Sequence, residues 1–248
     1  MKNITYVSSS NSGYIEFAKI ALNNFQNNFS NSDCLYFQCL DTTTYNELSK
    51  IKIKDNVHLI LDDINIHNPQ SFNTPGFIEI TKKKFKFIAD ILSKSEYLYF
   101  FDCDVYFFKD PKEFISPLLD SYEILFQQDA PLTDGHKIGH TYVCSGNFCM
   151  VNNQNVSNFL QKIISKFNDR QNEQEIIYEY LKSECLDNNV ENYKDVKISI
   201  LDPNLFQNGF DAFRSNWSQR EDKVCIHANH MIGINAKKDA FKKMGLNI

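Results

Sequence analysis

The feature that most constrains the fold is an aromatic, almost entirely apolar stretch from Tyr97 to Phe108 that contains two aspartates, Asp102 and Asp104. A run this apolar predicts a β-strand buried on both faces of an α/β sheet. Burying an unpaired carboxylate is costly, so the pair requires a compensating cation. Because residues i and i+2 lie on the same side of a strand, and Mg²⁺ and Mn²⁺ prefer oxygen ligands, we predict a divalent metal site at this strand's end. The alternative is an edge strand whose aspartates face water.

Composition indicates an ordinary globular protein. The chain has 248 residues, 42% hydrophobic and 23% charged, enough for one sizeable core, so we predict a single domain over residues 1–248. A net charge of −5 and a pI near 5.7 argue against a nucleic-acid partner, which requires a basic face. The sequence lacks an apolar run of about 18 residues, the length that a membrane-spanning helix needs, so we expect no membrane span.

The N-terminus and the cysteines predict a cytoplasmic protein. Residues 1–7 enter a predicted strand at once and leave no room for a signal peptide. The seven cysteines are odd in number, show no CxxC spacing, and in several cases stand inside apolar runs. We therefore interpret them as small buried thiols in a reducing compartment, not as a disulfide framework.

Strands and helices alternate along the sequence, which is typical of an α/β fold. Strands are predicted at residues 4–7, 34–40, 57–61, 122–126, 142–151 and 196–200, besides the aspartate-containing stretch, and amphipathic helices begin near Tyr14, Phe77 and Val156. A polar turn predicted from Ser8 to Gly13 follows the first strand, where α/β proteins commonly bind nucleotides, although no GxGxxG or P-loop motif accompanies it. Gly146 lies inside a predicted strand and indicates a β-bulge or a ligand close to the backbone.

Six sequence blocks, taken in order, resemble one known family. They are Phe101-Asp102-Cys103-Asp104-Val105, Gln128-Asp129, Cys144-Ser145-Gly146-Asn147-Phe148, Asn172-Glu173-Gln174, a block from Asp202 to Gly209 and a block from His227 to Lys237. From about Ile4 to Leu246 the chain resembles the nucleotide-diphospho-sugar transferases of glycosyltransferase family 77. The resemblance implies one α/β domain of GT-A type, with a mostly parallel twisted central sheet, helices on both faces and the Asp-x-Asp motif at a strand end. It also implies retaining transfer from a nucleotide-diphosphate sugar, with a UDP-sugar as the expected donor and Mn²⁺ or Mg²⁺ as cofactor.

The resemblance assigns metal and donor contacts by position. Asp102 and Asp104 would hold the metal and His227 would complete its coordination, as two carboxylates and an imidazole can. Lys237 would place a positive charge on the leaving phosphate. His227 could instead be a buried histidine with satisfied hydrogen bonds, and Lys237 an ordinary surface lysine. The full set expected to contact the nucleotide and its phosphates is Ser8, Ser9, Tyr14, Lys84, Asp102, Gly233 and Lys237.

The transferred sugar is assigned to three further blocks. Glu173 and Gln174 would be catalytic, but many relatives carry Asn-Asp-Gln here, and the extra methylene of Glu173 would move its carboxylate by about 1 Å, enough to matter for catalysis. Retention requires either a carboxylate nucleophile or a front-side attack in which the leaving phosphate accepts the proton, and we favour the second. The alternative for this pair is a helix N-terminus, where the helix dipole stabilises a carboxylate. The remaining sugar contacts would be Asp129, Ser145, Gly146 and Asn147.

Two alternatives from other functional classes stay open. A hydrophobic strand ending in Asp-x-Asp also marks haloacid-dehalogenase-like phosphatases, but their motif stands on the first strand, whereas here it begins at residue 102. The second alternative is a catalytically inert sugar-binding module, which intact metal ligands disfavour. As a transferase, the protein would take a nucleotide-sugar donor and, as acceptor, a hydroxyl of a glycan or glycoprotein.

Overall fold

The computed structural model describes residues 2–64, 66, 68, 70–71, 73–214 and 222–246. The strands in these residues are β1 (Ile4–Ser10), β2 (Cys34–Cys39), β3 (Val57–Leu61), β4 (Tyr97–Phe101), β5 (Val105–Phe107), β6 (Ile124–Gln128), β7 (Val143–Val151), β8 (Ile198–Ile200), β9 (Phe206–Gln207) and β10 (Cys225–His227). The helices are α1 (Ile15–Asn28), α2 (Thr42–Leu48), α3 (Pro75–Leu92), α4 (Lys112–Ile115), α5 (Gln154–Ser165), α6 (Glu173–Glu184), α7 (Gly209–Arg214) and α8 (Ile234–Lys243).

The described strands form a seven-stranded central sheet in the order β3-β2-β1-β4-β7-β6-β8. Only β7 breaks the parallel arrangement, since it is antiparallel to both of its neighbours, β4 and β6. The predicted mostly parallel sheet is therefore confirmed. A second sheet, in the order β5-β10-β9, was not predicted from the sequence, because its strands have only two or three residues each.

Hydrophobic clusters cover both faces of the central sheet. Along β4, Tyr99 belongs to a cluster that includes Phe17 and Phe25 of α1, whereas Phe100 belongs to a cluster that includes Phe85 of α3 and residues of α5 and α6. Successive side chains of a strand point to opposite faces, so these two clusters lie on opposite sides of the sheet. Helices therefore flank the sheet on both faces, as predicted.

The aspartate-containing stretch is not one strand, which corrects the first prediction. β4 ends at Phe101, residues 102–104 form a turn, and β5 begins at Val105 in the other sheet. The Val105 amide donates a 3.0 Å hydrogen bond to the Asp102 carbonyl and closes the turn. β4 and β5 are both buried and apolar, so the sequence on the two sides of the turn has the pattern of one continuous strand. Asp102 and Asp104 come together because the chain turns between two sheets, not because residues i and i+2 share one side of a strand.

β1 is longer than predicted, and this moves two candidate residues. The strand extends to Ser10 instead of ending at Val7, because Ser9 and Ser10 pair in register with β2. Ser8 and Ser9 therefore lie in a strand and not in a polar turn. At the carboxyl end of this strand, the Cys103 thiol donates to the Ser10 hydroxyl at 3.7 Å, so β1 ends beside the turn that carries the two aspartates.

The β-bulge predicted around Gly146 is confirmed. Between β6 and β7, Phe126 pairs with Phe148, but Gln128 pairs with Val143, so residues 144–147 of β7 lie opposite Gln127 alone. The extra length of β7 pushes its backbone out of the regular ladder at this point. On its other side, the Gly146 carbonyl accepts a 2.7 Å hydrogen bond from the Asp102 amide, which ties the bulge to the aspartate turn.

The start of α6 is fixed by a capping box. The Asn172 side chain accepts a 3.0 Å hydrogen bond from the Glu175 amide, and the Glu175 carboxylate accepts one from the Asn172 amide at 3.3 Å. This reciprocal pair satisfies two amides that a helix start leaves without partners. Glu173 and Gln174 are thereby held in the first turn of α6. The alternative given for this block, a helix N-terminus, is therefore correct for its position in the fold.

Candidate functional site

Asp102, Asp104 and His227 form one cluster. Each offers a ligand atom, and these atoms lie within 4.8 Å of one another. His227 Nε2 is 3.2 Å from Asp104 Oδ1 and 3.9 Å from Asp102 Oδ2. β10 brings the histidine here because it pairs antiparallel with β5, which places His227 opposite Val105, the residue after Asp104. The Asp102 side chain is 33% exposed, so the cluster opens to the surface on that side.

The backbone of Gly146 lies directly against this cluster. A Cβ atom at this position would lie 2.2 Å from Asp102 Oδ2 and 2.6 Å from the His227 ring carbon Cε1. Both distances are well inside van der Waals contact, so any side chain would push the two groups away. The bulge in β7 therefore passes directly against the cluster, and only glycine permits it.

Two lysines compensate the carboxylates of the cluster. Lys84, from α3, is 5% exposed, and its Nζ lies 2.7 Å from Glu173 Oε1 and 3.4 Å from Asp102 Oδ1. Lys237, from the first turn of α8, forms an ion pair with Asp104 Oδ2. Each carboxylate of the Asp-x-Asp motif thus has its own ammonium partner.

The pKa shifts follow from burial and these pairs. Burial alone would lower the pKa of Lys84, but the charges of Asp102 and Glu173 outweigh it and raise that pKa. Burial raises the pKa of Asp102, and Lys84 offsets part of this rise. Burial would also raise the pKa of Asp104, but Lys237 and His227 hold it well below its usual range. Asp104 is therefore the more firmly ionised carboxylate of the two.

A second polar network continues from Lys84 along β7 and α6. The Ser145 hydroxyl lies 3.0 Å from Glu173 Oε1 and 3.2 Å from Gln174 Oε1. The Gln174 amide nitrogen donates to Asp129 Oδ2 at 2.8 Å, and the Asn229 amide donates to the other Asp129 oxygen. Glu173 is 3% exposed, and its second oxygen, Oε2, has no hydrogen-bond partner in the part of the chain that the structure describes.

Of the residues assigned to the nucleotide and its phosphates, Lys84 and Asp102 belong to the ion pairs described above, and the others lie in or just after β1 and at the start of α8. Ser8 is buried, and its hydroxyl has no hydrogen-bond partner among the described residues, while Ser9 is 9% exposed. The Tyr14 ring centroid lies 5.8 Å from Lys237 Nζ. Gly233 directly precedes α8 with φ +84°, a conformation that favours glycine. These positions border the aspartate turn.

Asn147 is placed apart from this network. Its side-chain oxygen accepts a 2.6 Å hydrogen bond from the Tyr99 hydroxyl, and its nitrogen donates to the Cys225 sulfur at 3.4 Å. Asn147 is fully buried, so both ends of its amide bond to the protein interior. Gly146 likewise contributes backbone and space, not a side chain.

The sequence assigned no role to Gln127 or to Cys144, the partners of His227, although Cys144 stands in one of the six family blocks. The Nδ1 atom of His227 lies 3.1 Å from Gln127 Oε1 and 3.3 Å from Cys144 Sγ. A fully polar pair, Gln127-Gln128, directly after an apolar strand was the available signal. The sequence motif directed attention to Asp129 instead.

The model of a family described as nucleotide-diphospho-sugar transferase matches residues 33–241. The chain belongs to this family. The match includes Asp102, Asp104, His227 and Lys237, and the membership contradicts the phosphatase alternative. Glycosyltransferase family 77, the finer assignment made from the motifs, stays a prediction.

One curated relative of this chain is a UDP-galactose:fucoside alpha-3-galactosyltransferase of Dictyostelium discoideum. It is 30% identical over 192 residues, which cover 72% of this chain and 29% of that protein. The chain thus spans less than a third of the length of this relative.

Solved structures support the GT-A fold. The glycosyltransferase GlyE of Streptococcus pneumoniae TIGR4 has a TM-score of 0.61 at 14% identity, over 100% of this chain and 61% of that one. A glycosyltransferase involved in glycosylation of the major capsid of PBCV-1 has a TM-score of 0.57 at 13% identity, over 98% of both chains. Mouse xyloside xylosyltransferase 1 has a TM-score of 0.54 at 10% identity, over 94% of this chain and 99% of that one. None of the helices in the described ranges is long and apolar enough to cross a membrane.

Proposed function

We propose that the transferase moves a sugar from a UDP donor to a hydroxyl of a glycan or glycoprotein, with retention of the anomeric configuration and with Mn²⁺ or Mg²⁺ as cofactor. The observation that carries this proposal is the cluster of Asp102, Asp104 and His227, flanked by Lys84 and Lys237, in a chain of the nucleotide-diphospho-sugar transferase family.

The residues of the cluster suit a divalent metal. Two carboxylates and one imidazole, with ligand atoms within 4.8 Å, match the oxygen and nitrogen ligands that Mn²⁺ and Mg²⁺ accept. Gly146 fits the same role, because a larger residue there would displace Asp102 and His227. When bound, the metal would offset the charge that develops on the departing diphosphate.

We assign the diphosphate to Lys237 and the start of α8, and the nucleoside to Ser8, Ser9 and Tyr14. A helix N-terminus presents unbonded amides and a partial positive charge, which favour phosphate. Lys237 adds a full charge in the first turn, beside Asp104. The unpaired Ser8 hydroxyl and the ring of Tyr14 next to Lys237 support the placement of the nucleoside at the end of β1.

We assign the sugar to the network of Ser145, Gln174 and Asp129, with Lys84 beneath it. The hydroxyl, amide and carboxylate of this network are suited to hydrogen bonds with sugar hydroxyls. Asn147 would support it indirectly, by holding β7 against Tyr99 and Cys225.

Glu173 orients the site and does not act as the nucleophile in this proposal. A carboxylate nucleophile needs an accessible lone pair, but Glu173 is 3% exposed. Its Oε1 already accepts hydrogen bonds from Lys84 and Ser145, and its Oε2, which has no partner among the described residues, is buried. Front-side attack needs no such group, because the leaving phosphate accepts the proton of the acceptor hydroxyl as the new glycosidic bond forms. Lys84 and Glu173 would fix the sugar and the acceptor for that attack.

The curated relative supports the donor and the stereochemistry. Its name gives UDP-galactose as donor and an alpha linkage in the product. UDP-galactose carries its sugar in α-linkage, so that relative retains the configuration. The 30% identity over 192 residues makes the same outcome our expectation here.

The test is to incubate the protein with a panel of UDP-sugars and Mn²⁺, with and without glycan acceptors, and to measure UDP release. We expect release with at least one donor, loss of release with a chelator, and an α-anomeric product by proton NMR. Asp104→Asn should abolish Mn²⁺-dependent UDP binding, whereas the matched control Asp120→Asn, at an exposed aspartate paired with Lys2, should not change it.

Three outcomes would contradict the proposal. Equal UDP affinity with and without metal would remove the metal requirement. A β-linked product would exclude retention. Tight UDP-sugar binding without any turnover would favour the inert sugar-binding module.

A further inference from the structure

We propose that Gln127, which no sequence motif marks, is a positioning residue for the metal site: its side-chain oxygen holds a proton on His227 Nδ1 and so reserves Nε2 for the metal. The inference rests on the proposed function of His227 as a metal ligand. It concerns which of the two ring nitrogens of His227 faces the carboxylates of Asp102 and Asp104 and can exchange a proton for a metal ion.

The orientation of the Gln127 amide is decided by two backbone carbonyls. Gln127 Nε2 donates to the Gln207 carbonyl at 2.9 Å and to the Phe206 carbonyl at 3.2 Å. If the amide were flipped, its oxygen would face two carbonyl oxygens with no proton between them. Oε1 must therefore point the other way, and it lies 3.1 Å from His227 Nδ1. Gln127 is 1% exposed, so water does not compete for these contacts.

An acceptor at Oε1 requires a donor at Nδ1. An amide oxygen cannot donate, so the 3.1 Å contact is a hydrogen bond only if His227 Nδ1 carries a proton. The Cys144 sulfur lies 3.3 Å from the same nitrogen and already accepts from the Gly146 amide at 3.4 Å, so it suits the role of a second acceptor. The Gln127 oxygen is therefore the neighbour that requires a proton on Nδ1, and the Cys144 sulfur is compatible with it.

The other ring nitrogen, Nε2, is then the one that can exchange a proton for a metal ion. His227 Nε2 faces Asp104 Oδ1 at 3.2 Å and Asp102 Oδ2 at 3.9 Å. With Nδ1 protonated, Nε2 is the nitrogen whose lone pair can bind a cation. Histidines that bind metals commonly donate their second N–H to a carbonyl or carboxylate oxygen, and this partner sets the tautomer.

The fold explains why a glutamine can reach this place. Gln127 stands opposite the bulge of β7, where the regular pairing between β6 and β7 is interrupted. Its side chain extends from the central sheet to β9 of the small sheet and to His227 on β10. Gln127 therefore couples the position of His227 to the junction of the two sheets.

The test compares three variants by calorimetry with Mn²⁺. Gln127→Met keeps the shape but removes the acceptor, and we expect Mn²⁺ affinity to fall by about 10-fold to 100-fold. Gln127→Glu keeps an oxygen for Nδ1, so Mn²⁺ affinity should be retained or increased. Both variants lose the bonds to Phe206 and Gln207, and Gln127→Glu also turns an oxygen toward these two carbonyls. Gln127→Glu should therefore be destabilised at least as much as Gln127→Met, so a merely structural role predicts that its Mn²⁺ affinity falls at least as far.

The matched control is Gln38→Met. Gln38 is also a fully buried strand glutamine, whose nitrogen donates to Asp62 Oδ2 at 2.9 Å, and it has no contact with His227. We expect this variant to lose stability without losing Mn²⁺ affinity.

Nitrogen-15 NMR of the histidine rings gives a readout that is independent of activity. We expect Nδ1 of His227 to carry a proton in the wild-type protein, both metal-free and loaded with Mg²⁺ and UDP, and to lose this single state in Gln127→Met. The His227→Asn spectrum identifies the signal among the six histidines.

Distinct outcomes overturn the role of Gln127 and the proposed function. A wild-type protein that binds metal with Nδ1 unprotonated would contradict the role of Gln127 alone, as would an unchanged affinity in Gln127→Met or a parallel loss in Gln127→Met and Gln127→Glu. A wild-type protein that binds no metal and releases no UDP would overturn the proposed function and this role together.

Discussion

At the scale of single residues, the site depends on buried charges that compensate one another. Lys84 lies between Asp102 and Glu173, and Lys237 pairs with Asp104. Removing one partner of a buried pair leaves an uncompensated charge, which typically costs about 3–5 kcal/mol. The lysines therefore allow the carboxylates to stay ionised, and available to a metal, in a largely buried place.

Replacing Gly146 should disrupt the metal site without touching its ligands. In Gly146→Ala the new Cβ would lie 2.2 Å from Asp102 Oδ2 and 2.6 Å from His227 Cε1, so both groups must move. We expect Mn²⁺ affinity, measured by calorimetry, to fall by about 10-fold or more, since overpacking of this kind costs about 1–3 kcal/mol. The control is Gly76→Ala, whose Cβ would meet only the flexible side chain of Gln70. Unchanged affinity in Gly146→Ala would show that the cluster does not bind the metal.

Glu173→Gln separates the two retaining mechanisms. If Glu173 only orients the site, the amide keeps an oxygen for Lys84 and Ser145, and we expect transfer to fall by about 10-fold to 100-fold. A true nucleophile would lose about 10³-fold or more when its charge is removed. The measurement is kcat for transfer with the donor that the panel identifies, and a loss of the larger size would contradict front-side attack.

Lys237→Met should cost more in transfer than Glu173→Gln. Removing the cation from the leaving diphosphate weakens stabilisation where charge develops, by about 2–4 kcal/mol. Without nucleotide, the same variant should bind Mn²⁺ at least as tightly as the wild type, because the ammonium that shares Asp104 is gone. A drop in Mn²⁺ affinity of the nucleotide-free variant would show that Lys237 supports the metal site itself and not the phosphate.

At the scale of secondary-structure elements, the start of α6 positions the sugar network. The capping box of Asn172 and Glu175 fixes the first turn, and Asn172 also donates to the side chain of Asn73 ahead of α3. Glu173 reaches Lys84 of α3, and Gln174 reaches Ser145 of β7. One helix start thus aligns three elements around the candidate sugar site.

Loss of this cap should therefore affect both stability and activity. Asn172→Ala is expected to lower the free energy of unfolding by about 1 kcal/mol and also to reduce transfer. The matched control is Asn153→Ala, which removes the equivalent cap from α5, where the Asn153 side chain accepts from the Val156 amide at 2.9 Å. It should lose similar stability, measured by urea unfolding, with transfer unchanged. Equal activity in the two variants would contradict a role of α6 in positioning.

At the scale of the whole molecule, the site lies where the central sheet meets the small one. β4, β6 and β7 of the first sheet supply Asp102, Gln127 and Ser145 at or near their ends, and β10 of the second supplies His227. We propose that the described chain acts as one domain, since His227 and Asp104 would separate if the sheets parted. That the protein is cytoplasmic stays a prediction.

The reactivity of the cysteine thiols tests whether the native fold is intact. All seven cysteines are free in the structure, and only Cys34 is partly exposed, while the other six are buried. We expect Cys34 to react first with a thiol reagent in the native protein, and the buried six to react only as the fold opens. Under denaturing, non-reducing conditions all seven should react, and a smaller number in freshly isolated protein would indicate a disulfide.

The sequence by itself determined the parts of this protein that depend on local periodicity and on linear motifs. Alternating strands and helices predicted the α/β fold, the glycine in β7 predicted the bulge, and the motif order predicted the family. Tertiary structure decided which distant groups meet. The turn between the two sheets brings Asp102 and Asp104 together, the bulge places Gln127 against His227, and α6 carries Glu173 to Lys84. These contacts join residues far apart in sequence, and the short strands of the small sheet have no periodicity that could have revealed them.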